Sequence, residues 1–277
     1  MSGRRPAAER LEAVLSRLGH RAKRSLGQNF LISDVIIDRI IAATESFQPS
    51  ALIEVGPGAG ALTELLATFN IPLTLIELDS NFANYWRSLG YSVIEEDALR
   101  ISWESLTIEG AVLVSNLPYQ ISSSLVIDRS MDRKLLKGMV LMFQKEVAQR
   151  IRAQPATGDY GLLSVIAQNF WQISLVTEVG PRDFLPAPKV ASRVLKFSPK
   201  ETTLTDKASF LAFVKCAFSN RRKMMKANLC SWLDLRGLSE ESLFSALRVV
   251  GHEPTVRAEA LSPADFSKLF GLLTGTS

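Results

Sequence analysis

The tetrapeptide Asn116-Leu117-Pro118-Tyr119 follows an apolar run, Ala111–Ser115, that has the composition of a buried strand. The asparagine side-chain carbonyl and a backbone carbonyl beside the proline can accept the two N–H groups of an exocyclic amine on a planar base. Pro118 fixes φ and stiffens this backbone, and Tyr119 offers a flat face for stacking. Two acceptors make the nitrogen lone pair more available to an electrophile. All four residues are therefore candidate catalytic residues; a strand-to-loop turn with a buried tyrosine is the alternative.

A glycine-rich segment, Glu54-Val55-Gly56-Pro57-Gly58-Ala59-Gly60, lies between apolar Ala51–Ile53 and the helix-like Ala61–Ala67. Glycines permit positive φ and close approach of a ligand to the backbone, and a helix N-terminus presents unpaired N–H groups. The spacing differs from the dinucleotide fingerprint, and Pro57 lacks an N–H that a pyrophosphate would use. The segment resembles motif I of S-adenosylmethionine-dependent methyltransferases; an ordinary tight turn is the alternative.

Acidic residues follow the next two strand-like runs. Glu77 comes after Ile71–Ile76, about 20 positions past the glycines, where doubly wound folds place the acceptor for ribose hydroxyls. Asp79 is more typical of a helix cap. Asp97 follows Tyr91–Ile94 and either accepts from an adenine amine or caps the next helix. Ligands of open α/β sheets bind outside the carboxyl ends of the strands, so these strand ends predict one site.

Composition bounds the class of protein. The 277 residues are 47% hydrophobic, which suffices for one large or two moderate domains. No apolar run is long enough for a bilayer, and the N-terminus lacks the apolar core of a secretory signal. Two distant cysteines indicate reduced thiols, and two histidines without a Cys/His cluster predict no metal site. We expect a cytoplasmic protein that does not cross a membrane.

Positive charge is concentrated in two places. Residues 1–24 carry seven Arg or Lys against two Glu, whereas the whole chain has a net charge of +4. Such a basic segment suits phosphate contact, although Ala7–Leu18 also has the pattern of an amphipathic helix. The second cluster is Arg221-Arg222-Lys223, which either contacts nucleic acid or forms an exposed helix face.

Alternating strand and helix patterns from Leu52 to about Ile151 predict an α/β fold with a doubly wound parallel sheet. A proline-stiffened loop, Phe184–Lys189, begins with an aromatic residue that is either a core anchor or a base-stacking residue. The C-terminal region has only helical patterns. We therefore predict a basic N-terminal segment over 1–24, an α/β domain over 25–199 and a small all-α domain over 200–277. The helices expected in that last domain are Phe210–Phe218, Met224–Leu233, Ser239–Leu247 and Pro263–Leu272.

These motifs together resemble one family, the small-subunit ribosomal RNA adenine dimethyltransferases of the KsgA type. The similarity spans nearly the whole chain in the family's order. It is specific as a set, although no single motif is. The residues that carry it are Gln28–Leu31, Glu54–Gly60, Glu77–Asp79, Asp97-Ala98, Asn116–Tyr119, Gln144–Val147, Tyr160–Ser164, Phe184–Val190, Asn220–Lys223 and Arg257–Glu259.

The resemblance implies a Rossmann-like class I S-adenosylmethionine-dependent methyltransferase with a small C-terminal all-α domain. It also implies a reaction. Methyl groups pass from S-adenosylmethionine to N6 of two adjacent adenosines near the 3′ end of small-subunit (16S) rRNA, twice per base. The implied partner is 16S rRNA within the small ribosomal subunit, engaged by a monomer through its helical domain.

Roles for individual residues follow from the same resemblance. Asn29 and Leu31 close over the cofactor, Gly56 lines its tail, Glu77 binds the ribose hydroxyls, Asp97 binds the adenine amine, and Asn116 borders both cofactor and target. Tyr119 and Phe184 sandwich a base taken out of its stack. Arg221, Arg222 and Lys223 contact RNA.

One departure and three alternatives remain. Gln120 with Ile121-Ser122 follows the tyrosine where the family usually has Asn, which affects the fine geometry beside the acceptors. A large-subunit rRNA adenine methyltransferase that confers antibiotic resistance is one alternative. A DNA adenine methyltransferase is another, although the chain has no recognisable sequence-reading module. The third is a non-catalytic assembly or transcription factor with the same fold.

Overall fold

The computed structural model describes residues 4–19, 29–106, 109–132 and 136–275. These ranges contain two β-sheets and eleven α-helices, together with short 3₁₀ turns. The strands are β1 Phe30–Leu31, β2 Ala51–Val55, β3 Leu73–Glu77, β4 Ser92–Glu95, β5 Ala111–Asn116, β6 Leu136–Gln144, β7 Trp171–Val179, β8 Phe184–Leu185 and β9 Ser192–Pro199. The helices are α1 Ala7–Leu18, α2 Asp34–Glu45, α3 Thr63–Ala67, α4 Ser80–Ser88, α5 Ser122–Met131, α6 Lys145–Arg152, α7 Leu162–Phe170, α8 Lys207–Ala217, α9 Met225–Asp234, α10 Glu240–Val249 and α11 Pro263–Thr274.

Seven strands form one sheet in the order β4-β3-β2-β5-β6-β9-β7. The first five strands of this order are parallel to one another, and β9 runs antiparallel to β6. All five residues of β2 are buried, as expected for a parallel strand that helices cover on both faces. The predicted α/β doubly wound architecture is confirmed. Its parallel register aligns the carboxyl ends of β2, β3, β4 and β5 along one edge.

The predicted helix over Ala7–Leu18 is present as α1 and is not a free basic arm. Leu11 and Val14 belong to a buried cluster that also contains Phe82 of α4. Arg4 forms ion pairs with Asp34 and Asp38, both at 2.8 Å. Arg4 is therefore paired with carboxylates, whereas phosphate contact through the exposed Arg5 and Arg17 stays a prediction. Three further basic residues of the segment, Arg21, Lys23 and Arg24, lie outside the described residues, as does Gln28.

The chain forms two compact units. The first comprises Met1–Asp128, Asp132–Ala148 and Ile173–Pro199, and the second comprises Arg129–Met131, Gln149–Gln172 and Lys200–Ser277. The second unit thus includes α7 in addition to the C-terminal helices. Its core is aromatic, with Phe210 and Phe213 fully buried and their rings 5.5 and 5.7 Å from that of Phe270. Within the described residues, no helix combines the length and apolar character needed to cross a membrane.

Candidate functional site

A cavity of about 290 Å³ opens at the carboxyl ends of β2, β3 and β5 and beside the loop after β4. That position is where open α/β sheets bind their ligands, and its volume is close to that of small-molecule sites. The structure brings together residues that the sequence identified separately. Those lining the cavity are Asn29, Leu31, Gly56, Glu77, Asp97, Asn116, Leu117, Pro118 and Tyr119.

The glycine turn between β2 and α3 forms one wall of the cavity. Gly56, Gly58 and Gly60 all have positive φ, which favours glycine. At Gly60 a Cβ atom would also lie 2.5 Å from ring atoms of Trp86, whose indole N–H donates to the Gly58 carbonyl at 2.9 Å. The turn therefore requires glycine for its backbone and for the close approach of the tryptophan.

Glu77 is the last residue of β3, and its carboxylate accepts a hydrogen bond from the backbone of the glycine turn. Its Oε2 accepts from the Gly58 amide at 3.0 Å, and its Oε1 accepts from the Asp79 amide at 2.8 Å. Burial raises the pKa of Glu77, an effect that these backbone hydrogen bonds oppose. A carboxylate has about four acceptor positions, so the two oxygens can still accept hydroxyl groups from a ligand in the cavity. Asp79 caps α4 by accepting from the Asn81 amide at 3.0 Å, as predicted.

Glu54 is a cavity residue that sequence reasoning did not single out from its motif. It lies on β2 with 2% exposure, and its Oε2 is buried without a hydrogen-bond partner. Burial raises the pKa of Glu54 to about 8; the nearby Thr63 hydroxyl opposes this effect and the Glu77 carboxylate adds to it. The sequence feature that could have identified Glu54 is an acidic residue inside an otherwise apolar strand.

We expect Glu54 to make stability fall as the pH rises. Its pKa is higher in the folded protein than in the unfolded chain, so the folded state retains a proton that the unfolded state loses. The free energy of unfolding should then decrease by up to roughly 1.4 kcal/mol per pH unit between the two pKa values. Melting curves between pH 5 and 8 should show that Glu54→Gln is the more stable form at pH 8, with a smaller advantage at pH 5. Glu45→Gln, at an exposed position, serves as the control. Parallel pH profiles for Glu54→Gln and the unsubstituted chain would contradict the raised pKa of Glu54.

Asn116 ends β5 and has a fixed orientation. Its Nδ2 donates to the Asn29 carbonyl at 3.1 Å, which turns the acceptor atom Oδ1 away from that bond. Leu117 is buried, and the Pro118 ring lies 3.5 Å from where a Cβ of Gly56 would stand. The tetrapeptide and the glycine turn are thus packed against each other.

Tyr119 is partly exposed and lines the cavity. Its hydroxyl lies 3.1 Å from Ser192 Oγ. Burial raises the pKa of Tyr119, an effect that the Ser192 hydrogen bond opposes, so the phenol stays protonated at neutral pH. Ser192 is fully buried at the start of β9, and nothing in the sequence linked it to a tyrosine 73 positions earlier.

Asp97 does not cap a helix, because residues 98–100 form a turn. Its Oδ1 accepts from the Leu99 amide of that turn at 2.9 Å. The residue also lines the cavity after β4, and its side chain is 28% exposed. A second acceptor oxygen is therefore compatible with binding an amine there.

Phe184 has little free surface. It is 3% exposed and belongs to the same buried cluster as Leu31, with which it pairs in the two-stranded sheet of β1 and β8. A stacked base needs an open ring face. The role of core anchor therefore agrees with the structure, and the prediction of Phe184 as a base-stacking residue is corrected.

Arg221 lies in the second unit and is held by local contacts. Its Nε donates to Glu259 at 2.7 Å, and its Nη1 and Nη2 donate to the carbonyls of Gly158 and Thr157 at 2.6 and 2.7 Å. Three of its five N–H groups are thus engaged. Arg222 and Lys223 are exposed. The cluster is therefore not uniform, because Arg221 joins two segments of its unit while its neighbours face solvent.

Comparison with known proteins identifies the family of the chain. Residues 19–268 match the model of the family described as ribosomal RNA adenine dimethylase. The chain is 54% identical over 263 residues to ribosomal RNA small subunit methyltransferase A of Bdellovibrio bacteriovorus, covering 95% of this chain and 96% of that one. The protein of the same name from Anoxybacillus flavithermus is 33% identical, with 94% and 93% covered.

Solved structures show the same fold. A dimethyladenosine transferase from Plasmodium falciparum matches with a TM-score of 0.71 and 28% identity, over 87% of this chain and 95% of that one. The 23S rRNA methyltransferase ErmE matches with a TM-score of 0.64 and 25% identity, over 88% and 99%. The predicted methyltransferase fold and the resemblance read from the motifs are both confirmed. The chain belongs to the ribosomal RNA adenine dimethylase family.

Proposed function

We propose that this chain transfers methyl groups from S-adenosylmethionine to N6 of two adjacent adenosines near the 3′ end of 16S rRNA in the small ribosomal subunit. The products are N6,N6-dimethyladenosines, and the reaction contributes to small-subunit biogenesis. We further propose that the chain acts as a monomer in the cytoplasm. The observation that carries the proposal is the convergence of the glycine turn, Glu77 and Asn116–Tyr119 on one cavity.

The residues of the cavity suit this cofactor. Bound S-adenosylmethionine supplies an electrophilic methyl group on a sulfonium. In the proposed arrangement Asn29 and Leu31 cover it, Gly56 lies along its amino-acid tail, Glu77 accepts its ribose hydroxyls and Asp97 accepts from its adenine amine. The buried orphan oxygen of Glu54 supports the fit, because a buried polar atom without a partner is costly unless a ligand satisfies it.

Asn116 and the backbone carbonyl of Leu117 would hold the target amine. Two acceptors orient the N–H bonds and direct the nitrogen lone pair at the methyl group. Pro118 keeps that carbonyl in place, and Tyr119 provides the ring on which the extruded base stacks. Alignment supplies much of the rate enhancement in such a displacement, so the site needs no strong base.

Among the alternatives, methylation of the large subunit is not favoured. The curated relatives at 54% and 33% identity are named for the small subunit, whereas ErmE, named for 23S rRNA, is 25% identical. The non-catalytic alternative is not favoured either, because every proposed acceptor residue is present and lines the cavity.

One experiment tests the proposed function directly. Small subunits that lack these methyl groups are incubated with the protein and S-adenosylmethionine, and the 16S rRNA is digested and examined by mass spectrometry. We expect two adjacent dimethyladenosines near the 3′ end. Methylation of isolated large subunits instead would favour the alternative target, and no transfer to either subunit would favour the non-catalytic factor.

We expect the exposed pair Arg222 and Lys223 to contribute to rRNA binding through phosphates. The double variant Arg222→Ala/Lys223→Ala should bind small subunits more weakly, and its affinity should depend less on salt, by roughly 0.7–0.9 in log–log slope for each lost phosphate contact. The measurement is subunit affinity at several salt concentrations.

Arg221→Ala is the contrasting variant. It should lower the melting temperature, because it breaks the contacts to Glu259 and to two carbonyls. An unaltered salt slope in a well-folded double variant would remove the pair from the RNA surface.

A further inference from the structure

Gln120 directly follows the tetrapeptide and lines the same cavity as Asn116 and Tyr119. It lies in the turn over residues 119–121 that precedes α5, and it is exposed. Within the described part of the chain its carboxamide makes no hydrogen bond to another residue. A carboxamide has two N–H donors and a carbonyl acceptor, so the whole of this capacity is available to a ligand in the cavity.

The other polar side chains of residues 116–121 are already engaged. The Nδ2 of Asn116 donates to a backbone carbonyl at 3.1 Å, which leaves Oδ1 as the atom for the target amine. The Tyr119 hydroxyl lies 3.1 Å from Ser192 Oγ. Gln120 is therefore the residue of this segment that keeps both of its side-chain N–H groups free.

The proposed target base needs such a donor. In the proposed site both N–H groups of the adenine amine are held by acceptors, namely Asn116 Oδ1 and the Leu117 carbonyl. The ring nitrogens on either side of that amine, N1 and N7, are themselves acceptors. A base taken out of its stack loses its pairing partner, and enzymes that act on such bases replace it with hydrogen bonds to the base edge. An acceptor that is buried without a donor costs free energy.

We propose that Gln120 binds the target adenine by donating from Nε2 to the ring nitrogen, N1 or N7, that lies beside the methylated amine. This inference rests on the proposed function and adds a substrate-binding residue to it. Gln120 follows Tyr119 in the same turn, so the face of the base stacks on the tyrosine ring while its edge meets the glutamine. The tetrapeptide then orients the amine, and the next residue recognises the ring that carries it.

Two modified target bases isolate this contact. Small subunits are reconstituted with 16S rRNA that carries 1-deazaadenosine or 7-deazaadenosine at the target positions, so that each keeps the amine and loses one ring nitrogen. Single-turnover transfer of labelled methyl groups is measured for the unsubstituted chain and for Gln120→Ala. On unmodified subunits Gln120→Ala should be slower at subsaturating enzyme by about fivefold or more, the effect of one neutral hydrogen bond.

The decisive quantity is the comparison between the two chains. One deaza substitution should slow the unsubstituted chain about fivefold more than it slows Gln120→Ala, and it identifies the nitrogen that is bound. The other should slow both chains equally. Any change that a deaza base makes to the reactivity of the amine is common to both chains and cancels in this cycle.

Two further variants separate the donor from the shape of the side chain. Gln120→Glu keeps the shape, but an ionised carboxylate only accepts, so it should be at least as slow as Gln120→Ala. Gln149→Ala is the matched control, because Gln149 is an exposed glutamine that does not line the cavity, and it should transfer methyl groups at the unsubstituted rate.

The outcomes are separable from those for the proposed function. If the unsubstituted chain methylates no adenosine of the small subunit, the proposed function is wrong and the inference falls with it. If it methylates them and both deaza bases slow the two chains equally, the proposed function stands and Gln120 is only a solvated side chain. Calorimetry with S-adenosylhomocysteine should give the same affinity for Gln120→Ala and the unsubstituted chain. A weaker affinity would assign Gln120 to the cofactor and would also overturn the inference.

Discussion

Asn116→Ala should reduce methyl transfer to small subunits by about 100-fold or more, while binding of the subunit changes little. In the proposed site Oδ1 of Asn116 acts on the amine at the reacting centre, and an acceptor that matters mainly in the transition state affects turnover more than affinity. The loss of a positioned hydrogen-bonding group of this kind typically costs two to three orders of magnitude in rate. Single-turnover transfer of labelled methyl groups, compared with subunit affinity, measures the two effects separately.

Variants at Tyr119 provide the comparison for Asn116→Ala. Tyr119→Ala should lose stacking energy of roughly 1–3 kcal/mol. Tyr119→Phe keeps the ring, loses only the contact with Ser192, and should retain most activity. If Asn116→Ala weakens subunit binding as much as turnover, its acceptor is not specific to the transition state. If Tyr119→Phe is as inactive as Tyr119→Ala, the hydroxyl and not the ring face is required.

Glu77→Ala should weaken binding of S-adenosylmethionine by about tenfold or more, because it removes a charged acceptor whose hydrogen bonds contribute roughly 1.5–3 kcal/mol. The structure adds a second consequence. Glu77 also accepts from the amides of Gly58 and Asp79, so the variant leaves two backbone donors without their acceptor and should melt at a lower temperature. Calorimetry with the cofactor and a melting curve without it measure the two effects.

Glu95→Ala is the matched control for Glu77→Ala. Glu95 also ends a strand of the parallel sheet, but it pairs with Arg87 at 2.6 Å and does not line the cavity. Its removal should leave cofactor affinity unchanged. An unchanged dissociation constant for a folded Glu77→Ala variant would show that the ribose hydroxyls bind elsewhere.

The sequence by itself determined the α/β fold and most of the cavity. The strand runs, the glycine turn and the acidic or amide residue at each strand end are local patterns, and a parallel sheet places all of these carboxyl ends on one edge. The sequence alone therefore predicted that motifs more than 60 positions apart, such as those of Gly56 and Pro118, line one cavity. The predicted ends of helices and strands were less exact than the predicted fold. Helix α3 begins at Thr63 and not at Ala61, because the turn extends past Gly60.

Only the tertiary structure decided which side chains are covered and which are paired. Phe184 is buried because β8 pairs with β1, more than 150 positions earlier in the chain. Arg221 is held by Glu259 and by carbonyls of a distant loop. Burial, hydrogen-bond partners and the raised pKa of Glu54 all depend on residues that are remote in sequence. Local patterns carry no record of such neighbours, so the roles of these residues follow from packing alone.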